Sequence, residues 1–275
     1  MHSPVFLCLE DLIAQSLPRA PVEVPTMKSI FQLSLALFLT APLILRAEQP
    51  KNFAISPVPR DAGWMKRHES FNMISKQGES PLVFLGDSIT QGWSGKGKAS
   101  WEKHFAPMNA ANFGIGGDRT EHVLWRLQNG NYDGLKPKLT VLMIGTNNTG
   151  HQGRPQAELN GAIYQSTAEQ TAEGVSAIIK LLREKQPQMK ILLLGIFPRG
   201  ADANDDKRKQ NIATNAIISK LADGQSVHYM DISETFLQPD GILPKEIMPD
   251  LLHLNEAGYE KWSQAILPKV TDLMK

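Results

Sequence analysis

The sequence predicts an α/β fold, a single domain built on a five-stranded parallel sheet. Five short apolar runs recur along the chain, and segments whose apolar residues recur every three or four positions lie between them. Near-continuous apolar runs are expected of strands that are buried on both faces of a parallel sheet. Strands that alternate with helices favour right-handed crossovers within one layered domain, which we place at residues 48–275.

The apolar runs give the positions of the strands, and the segments between them give the helices. We predict strands at Leu82–Leu85, Ala110–Phe113, Thr140–Ile144, Ile191–Ile196 and Val227–Ile232. We predict helices over Thr120–Leu127, Thr171–Glu184 and Asn211–Leu221, and then a last helix that is capped by Asn255. Pro268 is expected to kink this last helix or to end its regular part.

The amino end has the pattern of a targeting signal. Lys28 precedes an apolar run from Ile30 to Leu45, which is short for crossing about 30 Å of hydrocarbon. Ala47 then supplies the small residue of a cleavage site, so we interpret residues 27–47 as a secretory signal peptide and the protein as secreted or periplasmic. An uncleaved anchor is the alternative. Residues 1–26 fit neither a signal nor a domain, and we interpret them as a mis-assigned start.

Charge and cysteine content exclude several classes of function. The 275 residues contain 29 Lys and Arg against 28 Asp and Glu, a net charge of +1. The chain therefore lacks the basic excess that a nucleic-acid partner requires. The single cysteine, Cys8, excludes an intrachain disulfide, a cysteine zinc site and a cysteine nucleophile in the domain. No stable membrane span is expected once the signal is removed.

Residues suited to catalysis follow the predicted strands. Ser88 follows the first strand, Gly117 the second and Asn147 the third, and Asp250 and His253 lie beyond the fifth. Because active sites of open α/β sheets collect at the carboxyl ends of the strands, we expect these residues to meet at one edge of the sheet. A hydroxyl, an imidazole, a carboxylate and amide donors together suffice for acyl transfer.

Each of these residues also has an ordinary structural interpretation. Ser88 could cap the helix that follows it, Gly116-Gly117 could form a tight turn, and Asn147 could belong to an Asx-turn. His253 could stand at the entry of a helix. The combination of all of them, in chain order and each after a strand, favours a catalytic site.

Four sequence blocks carry a family resemblance. FLGDSITQGW, NFGIGGD, GTNN and DLLH resemble the signature blocks of the SGNH (GDSL) hydrolases. Over most of residues 80–270 the chain looks closer still to the catalytic subunits of platelet-activating factor acetylhydrolase Ib, through NFGIGGDRTEHVLWRLQNG, LKPKLTVLMIGTNN and LLGIFPRG. The resemblance implies a flavodoxin-like, three-layer αβα sandwich that uses neither a metal nor an organic cofactor.

The resemblance also implies a role for each site residue. Ser88 is the expected nucleophile, His253 the base that accepts its proton, and Asp250 the carboxylate that orients the imidazole. The backbone N–H groups of Ser88 and Gly117 and the amide of Asn147 form the expected oxyanion hole. The G-x-S-x-G elbow of α/β-hydrolases is absent, since Ser88 lies in GDSIT.

Other polar residues near these blocks are weaker candidates. We expect His104, His122 and His151 to serve at the surface or in packing. We expect Asp87 to stabilise the turn that contains Ser88. We expect Asp118 to stabilise the turn at Gly116-Gly117, which we call the glycine turn.

The chain departs from the named subfamily in two ways. An extra stretch at Gln152–Ser166 follows the oxyanion block, and we expect it to limit acyl length or to contact the alcohol part of the ester. An extra helical turn packed on the outside is the alternative. Shortening this stretch is expected to leave thermal stability within a few degrees. The second departure is the export signal, because the subfamily is cytoplasmic.

Together these observations favour a serine esterase that removes acetyl or other short acyl groups from a small-molecule or polysaccharide ester. An exported, neutral enzyme makes a carbohydrate O-acetyl ester the leading alternative to a phospholipid acetyl ester. A non-catalytic carbohydrate-binding protein on the same fold is the rival class, and the presence of every proposed catalytic residue argues against it. The acyl length, the alcohol and the oligomeric state are left open, a homodimer being one candidate assembly.

Overall fold

Five parallel strands form the central sheet of the computed structural model, which describes residues 51–275. The strands are β1 (Leu82–Gly86), β2 (Ala110–Gly114), β3 (Leu139–Met143), β4 (Lys190–Leu194) and β5 (Val227–Met230). Their spatial order is β2-β1-β3-β4-β5, with Leu82 of β1 paired to Ala110 on one side and to Leu139 on the other. The five predicted strands and their flavodoxin-like parallel arrangement are confirmed.

Eight α-helices are present in the described part of the chain. They are α1 (Ala62–Gln77), α2 (Ser88–Gln91), α3 (Lys98–His104), α4 (Thr120–Gln128), α5 (Thr146–Gly150), α6 (Ala168–Lys185), α7 (Asp206–Ile218) and α8 (Glu256–Leu273). Helices α1, α4, α6 and α7 contribute to one apolar core, and α2, α3 and α8 contribute to another. The sheet lies between these two layers, as in a three-layer sandwich.

The strand β1 shows why both faces of the sheet must be covered. All of its residues are buried, and successive side chains point to opposite faces. Val83 and Leu85 belong to the first core, whereas Leu82 and Phe84 belong to the second. A run without polar positions therefore fits only a strand that has helices on both sides.

The last helix begins as predicted but continues further than predicted. The Asn255 side chain accepts a hydrogen bond from the backbone N–H of Gly258 at 3.0 Å, which confirms the cap. The helix then runs through Pro268 to Leu273, so of the two effects expected of Pro268, a kink or an end of the regular part, the end does not occur. Ile266 and Val270 are both buried against the sheet layer, and this packing on either side outweighs the hydrogen bond that a proline cannot donate.

The stretch Gln152–Ser166 forms a small hairpin rather than an extra helical turn. Two antiparallel strands of two residues each, Pro155–Gln156 and Ala162–Ile163, flank a single 3₁₀ turn at Ala157–Leu159. Tyr164, directly after the second strand, is completely buried. We refer to residues 152–166 as the hairpin.

The expectations for the amino end fall outside the structure. The signal peptide at 27–47 and the mis-assigned start at 1–26 both lie outside the described residues. Among residues 51–275, none of the helices combines the length and the apolar character that crossing a bilayer demands.

Candidate active site

Ser88 lies at the sharp turn between β1 and α2. Asp87 caps the helix, since its Oδ1 accepts a hydrogen bond from the backbone N–H of Ile89 at 3.0 Å. The turn is crowded: a Cβ on Gly86 would lie 2.4 Å from the carbonyl oxygen of Met143. The sequence Gly-Asp-Ser therefore allows β1 to pack tightly against β3 and leaves Ser88 partly exposed at the carboxyl edge of the sheet.

Ser88, His253 and Asp250 are brought together in a hydrogen-bonded series. The Oγ of Ser88 lies 2.9 Å from Nε2 of His253, and Nδ1 of His253 lies 2.7 Å from Oδ2 of Asp250. The other carboxylate oxygen of Asp250 accepts from the backbone N–H groups of Leu252, at 3.1 Å, and His253, at 2.7 Å. Leu251 completes this tight turn with a left-handed φ of 60°.

The carboxylate of Asp250 is held in its charged form. Partial burial raises the pKa of this group, but its hydrogen bonds with His253 and Leu252 and the proximity of the imidazole outweigh that effect and leave the pKa below its usual value. The His253 tautomer that satisfies both neighbours carries its proton on Nδ1. Nε2 is then free to accept the hydroxyl proton of Ser88.

The residues predicted for the oxyanion hole follow β2 and β3, the two strands that border β1 in the sheet. Gly117 has a left-handed φ of 77°, which favours glycine in the turn after β2. Its neighbour Gly116 donates its N–H to Oε1 of Gln91 at 2.7 Å, whereas the N–H of Gly117 has no acceptor within residues 51–275. The side chain of Asn147, in α5 after β3, donates from Nδ2 to the carbonyl oxygen of Asp118 at 2.9 Å.

A cleft of about 380 Å³ opens beside Ser88. Its wall consists of Ser88, Gln91, Gly92, Ser94, Gly95 and Gly116. Gly92 is required by close packing, since a Cβ there would lie 1.9 Å from the hydroxyl of Tyr259. That hydroxyl donates to the carbonyl oxygen of Ile89 at 2.7 Å and so joins α8 to the short helix that begins at Ser88.

Asp118 belongs to a group of charged side chains that stabilise the turn at Gly116-Gly117, the role expected for it. The carboxylate of Asp118 is completely buried and accepts from Nε1 of Trp64 at 2.6 Å. It also pairs with Arg60 at 3.3 Å and with Arg126 at 3.0 Å. Arg60 in turn donates to the carbonyl oxygen of Gly116 at 2.7 Å, so the turn is braced on both sides.

Asp87 is a second buried carboxylate, directly before the nucleophile. Burial raises its pKa to about 7, although the hydrogen bond from Ile89 acts in the opposite direction. Its Oδ2 is buried and has no hydrogen-bond partner among residues 51–275.

The three remaining candidate histidines have different surroundings. His104 bonds to Glu260 of α8 at 3.1 Å, and His122 is completely buried in α4, so both serve in packing. His151 is partly exposed instead, and its Nδ1 accepts from Arg119 at 2.7 Å. It lines a polar pocket next to the glycine turn, so of the two expected roles, surface and packing, its position fits the surface.

Three residues around the site carried no motif in the sequence. Arg60 and Trp64 precede the first strand, and Gln91 lies inside FLGDSITQGW, where the motif itself indicates no role for it. Trp64, His68, Phe71 and Ser75 are the buried residues of α1 and are separated by four, three and four positions. This helical spacing is the one sequence signal that could have placed Trp64 on a buried face.

Several known proteins are similar to this chain. The sequence profile of the GDSL-like lipase/acylhydrolase family matches residues 84–261. The human platelet-activating factor acetylhydrolase IB subunit alpha1 is 37% identical over 212 residues, which is 77% of this chain and 84% of that protein. A putative acylhydrolase from Bacteroides fragilis matches with a TM-score of 0.61 at 19% identity, over 78% of this chain and 100% of its own. An acetyl xylan esterase matches with a TM-score of 0.54 at 22% identity, over 69% and 98%. The likeness to these two solved structures is one of fold.

Proposed function

This chain belongs to the GDSL-like lipase/acylhydrolase family and is a carboxylic ester hydrolase, and on that premise we propose that it is a serine esterase that removes acetyl or other short acyl groups. The observation that carries the proposal is the series from Ser88 Oγ through the His253 imidazole to the Asp250 carboxylate, with contacts of 2.9 and 2.7 Å. The first contact is short enough for His253 to accept the Ser88 proton, and the second is short enough for Asp250 to orient the imidazole.

In the first step, Ser88 Oγ attacks the ester carbonyl carbon while its proton passes to Nε2 of His253. The imidazolium that forms is stabilised by the Asp250 carboxylate. The carbonyl π electrons move to oxygen, and the resulting oxyanion is bound by the N–H groups of Ser88 and Gly117 and by the amide of Asn147. Collapse of this intermediate expels the alcohol, which takes the proton from His253 and leaves an acyl group on Ser88.

In the second step, water replaces the alcohol. His253 removes a proton from the water as its oxygen attacks the acyl carbon, and the carboxylic acid then leaves Ser88 as the proton returns to Oγ. The side chains of His253 and Asp250 are 43% and 57% exposed. This exposure supports the proposal, since bulk water reaches the base without a conformational opening.

The shape of the Ser88 cleft favours a short acyl group. Three of its wall residues are glycines, and the buried rings of Trp93 and Tyr259 fill the space behind them. For the alcohol, the name of the human relative points to platelet-activating factor, and that of one solved structure points to acetyl xylan. We place a carbohydrate O-acetyl ester first.

An ester panel tests this proposal. Hydrolysis of p-nitrophenyl esters from C2 to C12 should be fastest at C2 to C4, and acetylated xylan should release acetate faster than an acetylated phospholipid. Ser88→Ala should abolish these activities, whereas Ser70→Ala, on the exposed face of α1, should not change them. Preference for long chains would contradict the short-acyl assignment, and activity that survives Ser88→Ala would contradict the serine mechanism.

We also propose export through residues 27–47, on the sequence pattern alone. Expression in a host with a periplasm, followed by sequencing of the amino terminus, should give a mature protein that starts at Glu48. An intact amino end in the cytoplasm would overturn this assignment.

A further inference from the structure

A polar pocket of about 370 Å³ adjoins the glycine turn. Its polar lining residues are Arg60, Asp61, Arg119, His151, Gln156 and Glu158, and the other two are a proline and an alanine. We call it the Arg60–Arg119 pocket. The hairpin supplies one of its walls through Gln156 and Glu158.

The pocket is connected to the proposed nucleophile through two residues of the turn. Arg60 donates to the carbonyl oxygen of Gly116, and a Cβ on Gly117 would lie 3.1 Å from its guanidinium. On the other side, a Cβ on Gly116 would lie 3.7 Å from Cβ of Ser88. An ester whose carbonyl is held at this turn therefore has the Ser88 cleft on one side and the Arg60–Arg119 pocket within reach on the other.

The hydrogen-bonding groups of the pocket are fixed before any ligand binds. The Arg119 side chain is 1% exposed and donates to Nδ1 of His151 and to Oε1 of Gln156, both at 2.7 Å. Because Nδ1 of His151 is an acceptor, its ring proton is on Nε2, which has no partner within residues 51–275. Burial and the nearby guanidinium lower the pKa of His151 to about 4, so the ring stays neutral and Nε2 is an oriented donor.

The charges of the pocket select against a phosphate group. Arg60 is paired with Asp118, and Arg119 is paired with both Glu121 and Glu158 at 2.5 Å. A phosphate would have to compete with these carboxylates for each guanidinium. Hydroxyl groups face no such competition, because they donate to carboxylate and amide oxygens and accept from N–H groups.

We propose that the Arg60–Arg119 pocket binds the alcohol part of the ester and that this alcohol is a neutral saccharide unit. This inference rests on the proposed esterase function and names its substrate class. A saccharide hydroxyl accepts from Nε2 of His151, and others donate to the carboxylates of Asp61 and Glu158 and to the amide oxygen of Gln156. Its two apolar lining residues, a proline and an alanine, are short, and the lining includes no long aliphatic or aromatic side chain to pack against a lipid chain.

Two pocket variants and a matched control test the inference. His151→Ala and Gln156→Ala each remove a lining group, whereas Gln152→Ala alters the same hairpin at a residue that bonds to Gln210 and does not line the pocket. With an acetylated xylo-oligosaccharide, each pocket variant should lower kcat/KM about five- to tenfold, the effect of one lost hydrogen bond. With p-nitrophenyl acetate, whose alcohol has no hydroxyls to bind there, kcat/KM should stay within about twofold. Gln152→Ala should change neither value.

A binding measurement supplies a second readout. The unacetylated oligosaccharide should inhibit p-nitrophenyl acetate hydrolysis competitively, and its Ki should rise in Gln156→Ala. Gln156 is a partly exposed residue of the hairpin, so this variant still tests the inference if His151→Ala fails to fold. Equal losses on both esters, no loss on either, or a loss confined to an acetylated phospholipid would each overturn the saccharide assignment. Those outcomes differ from failure of the esterase proposal, in which hydrolysis of p-nitrophenyl acetate would survive Ser88→Ala.

Discussion

The side-chain amide of Asn147 donates to the main-chain oxygen of Asp118 at 2.9 Å and so joins the end of β3 to the glycine turn after β2. This contact uses one of the two Nδ2 hydrogens and fixes the plane of the amide. Asp118 is itself held by Trp64, Arg60 and Arg126. The proposed oxyanion donors are therefore positioned by a buried network and need little reorganisation during the reaction.

Asn147→Ala should lower kcat by about 10²–10³ with little change in KM, because the lost amide acts on charge that develops only in the transition state. Steady-state kinetics on p-nitrophenyl acetate measure both constants. A rise in KM at unchanged kcat would instead make Asn147 a substrate-binding or turn residue.

Ser88→Ala and His253→Ala should each remove most of the turnover, and the double variant should be little worse than either, because the two residues act as one unit. The midpoint of urea unfolding should stay close to that of the unmodified protein, since both side chains are partly exposed. Losses that multiply in the double variant would contradict a shared mechanism.

Asp87→Asn should change the pH dependence of stability. Folded Asp87 keeps its proton up to about pH 7, whereas the unfolded chain releases it near pH 3.8. Because the unfolded state binds fewer protons between these values, this group makes the free energy of unfolding fall as pH rises through that window.

The asparagine variant has no carboxyl group to titrate here, so its free energy of unfolding does not fall in this way. The difference in free energy of unfolding between the variant and the unmodified protein should therefore increase from pH 4 to pH 7, towards about 4 kcal/mol. Urea unfolding across this range measures the difference. Asp206→Asn, at a carboxylate that is 96% exposed, is the control and should follow the unmodified protein. Parallel pH profiles for all three proteins would show that Asp87 keeps no proton in the fold.

Shortening the hairpin should lower the melting temperature by more than the few degrees expected from the sequence alone. Arg119 is buried and loses Gln156 and Glu158 when the hairpin is removed. Removing the partner of a buried charge costs about 3–5 kcal/mol when no other partner remains, and the Glu121 carboxylate that Arg119 keeps offsets part of this cost. Replacement of residues 155–163 by two glycines, followed by thermal unfolding, tests this. As a control, Ile163→Ser, at a half-exposed position of the same hairpin, should have the melting temperature of the unmodified protein. An unchanged melting temperature in the shortened protein would contradict this prediction and support a change of at most a few degrees.

The sequence was sufficient to predict the sheet and the residues at its edge. Strands buried on both faces leave near-continuous apolar runs, and β1 and β3 were located on that signal. Ser88 and Asn147 follow directly after strands, so the topology alone brings them to one edge. The last helix was also predicted, but its continuation past Pro268 depends on tertiary packing that a local rule does not include.

Other features depend on contacts that leave no local pattern. Arg60 reaches the glycine turn from a segment before the first strand, across 56 residues. Arg119 and Glu158 are charged residues, which a sequence places at the surface by default, yet they pair in a buried network. His151 was expected at the surface or in packing, because the orientation of its ring depends on the guanidinium beside it and leaves no local pattern.

Covalent labelling with a fluorophosphonate probe tests whether Ser88 is the nucleophile, because the probe forms a bond to an activated serine hydroxyl. Ser100, Glu260 and His104 form a second cluster of the same residue types, but Ser100 donates to Glu260 at 2.7 Å and makes no bond to the imidazole. We expect a single adduct by intact mass, located on the Ser88 peptide. This adduct should be lost in Ser88→Ala and His253→Ala and kept in Ser100→Ala. No adduct on the unmodified protein, or an adduct that persists in Ser88→Ala, would contradict the assignment of Ser88 as the nucleophile.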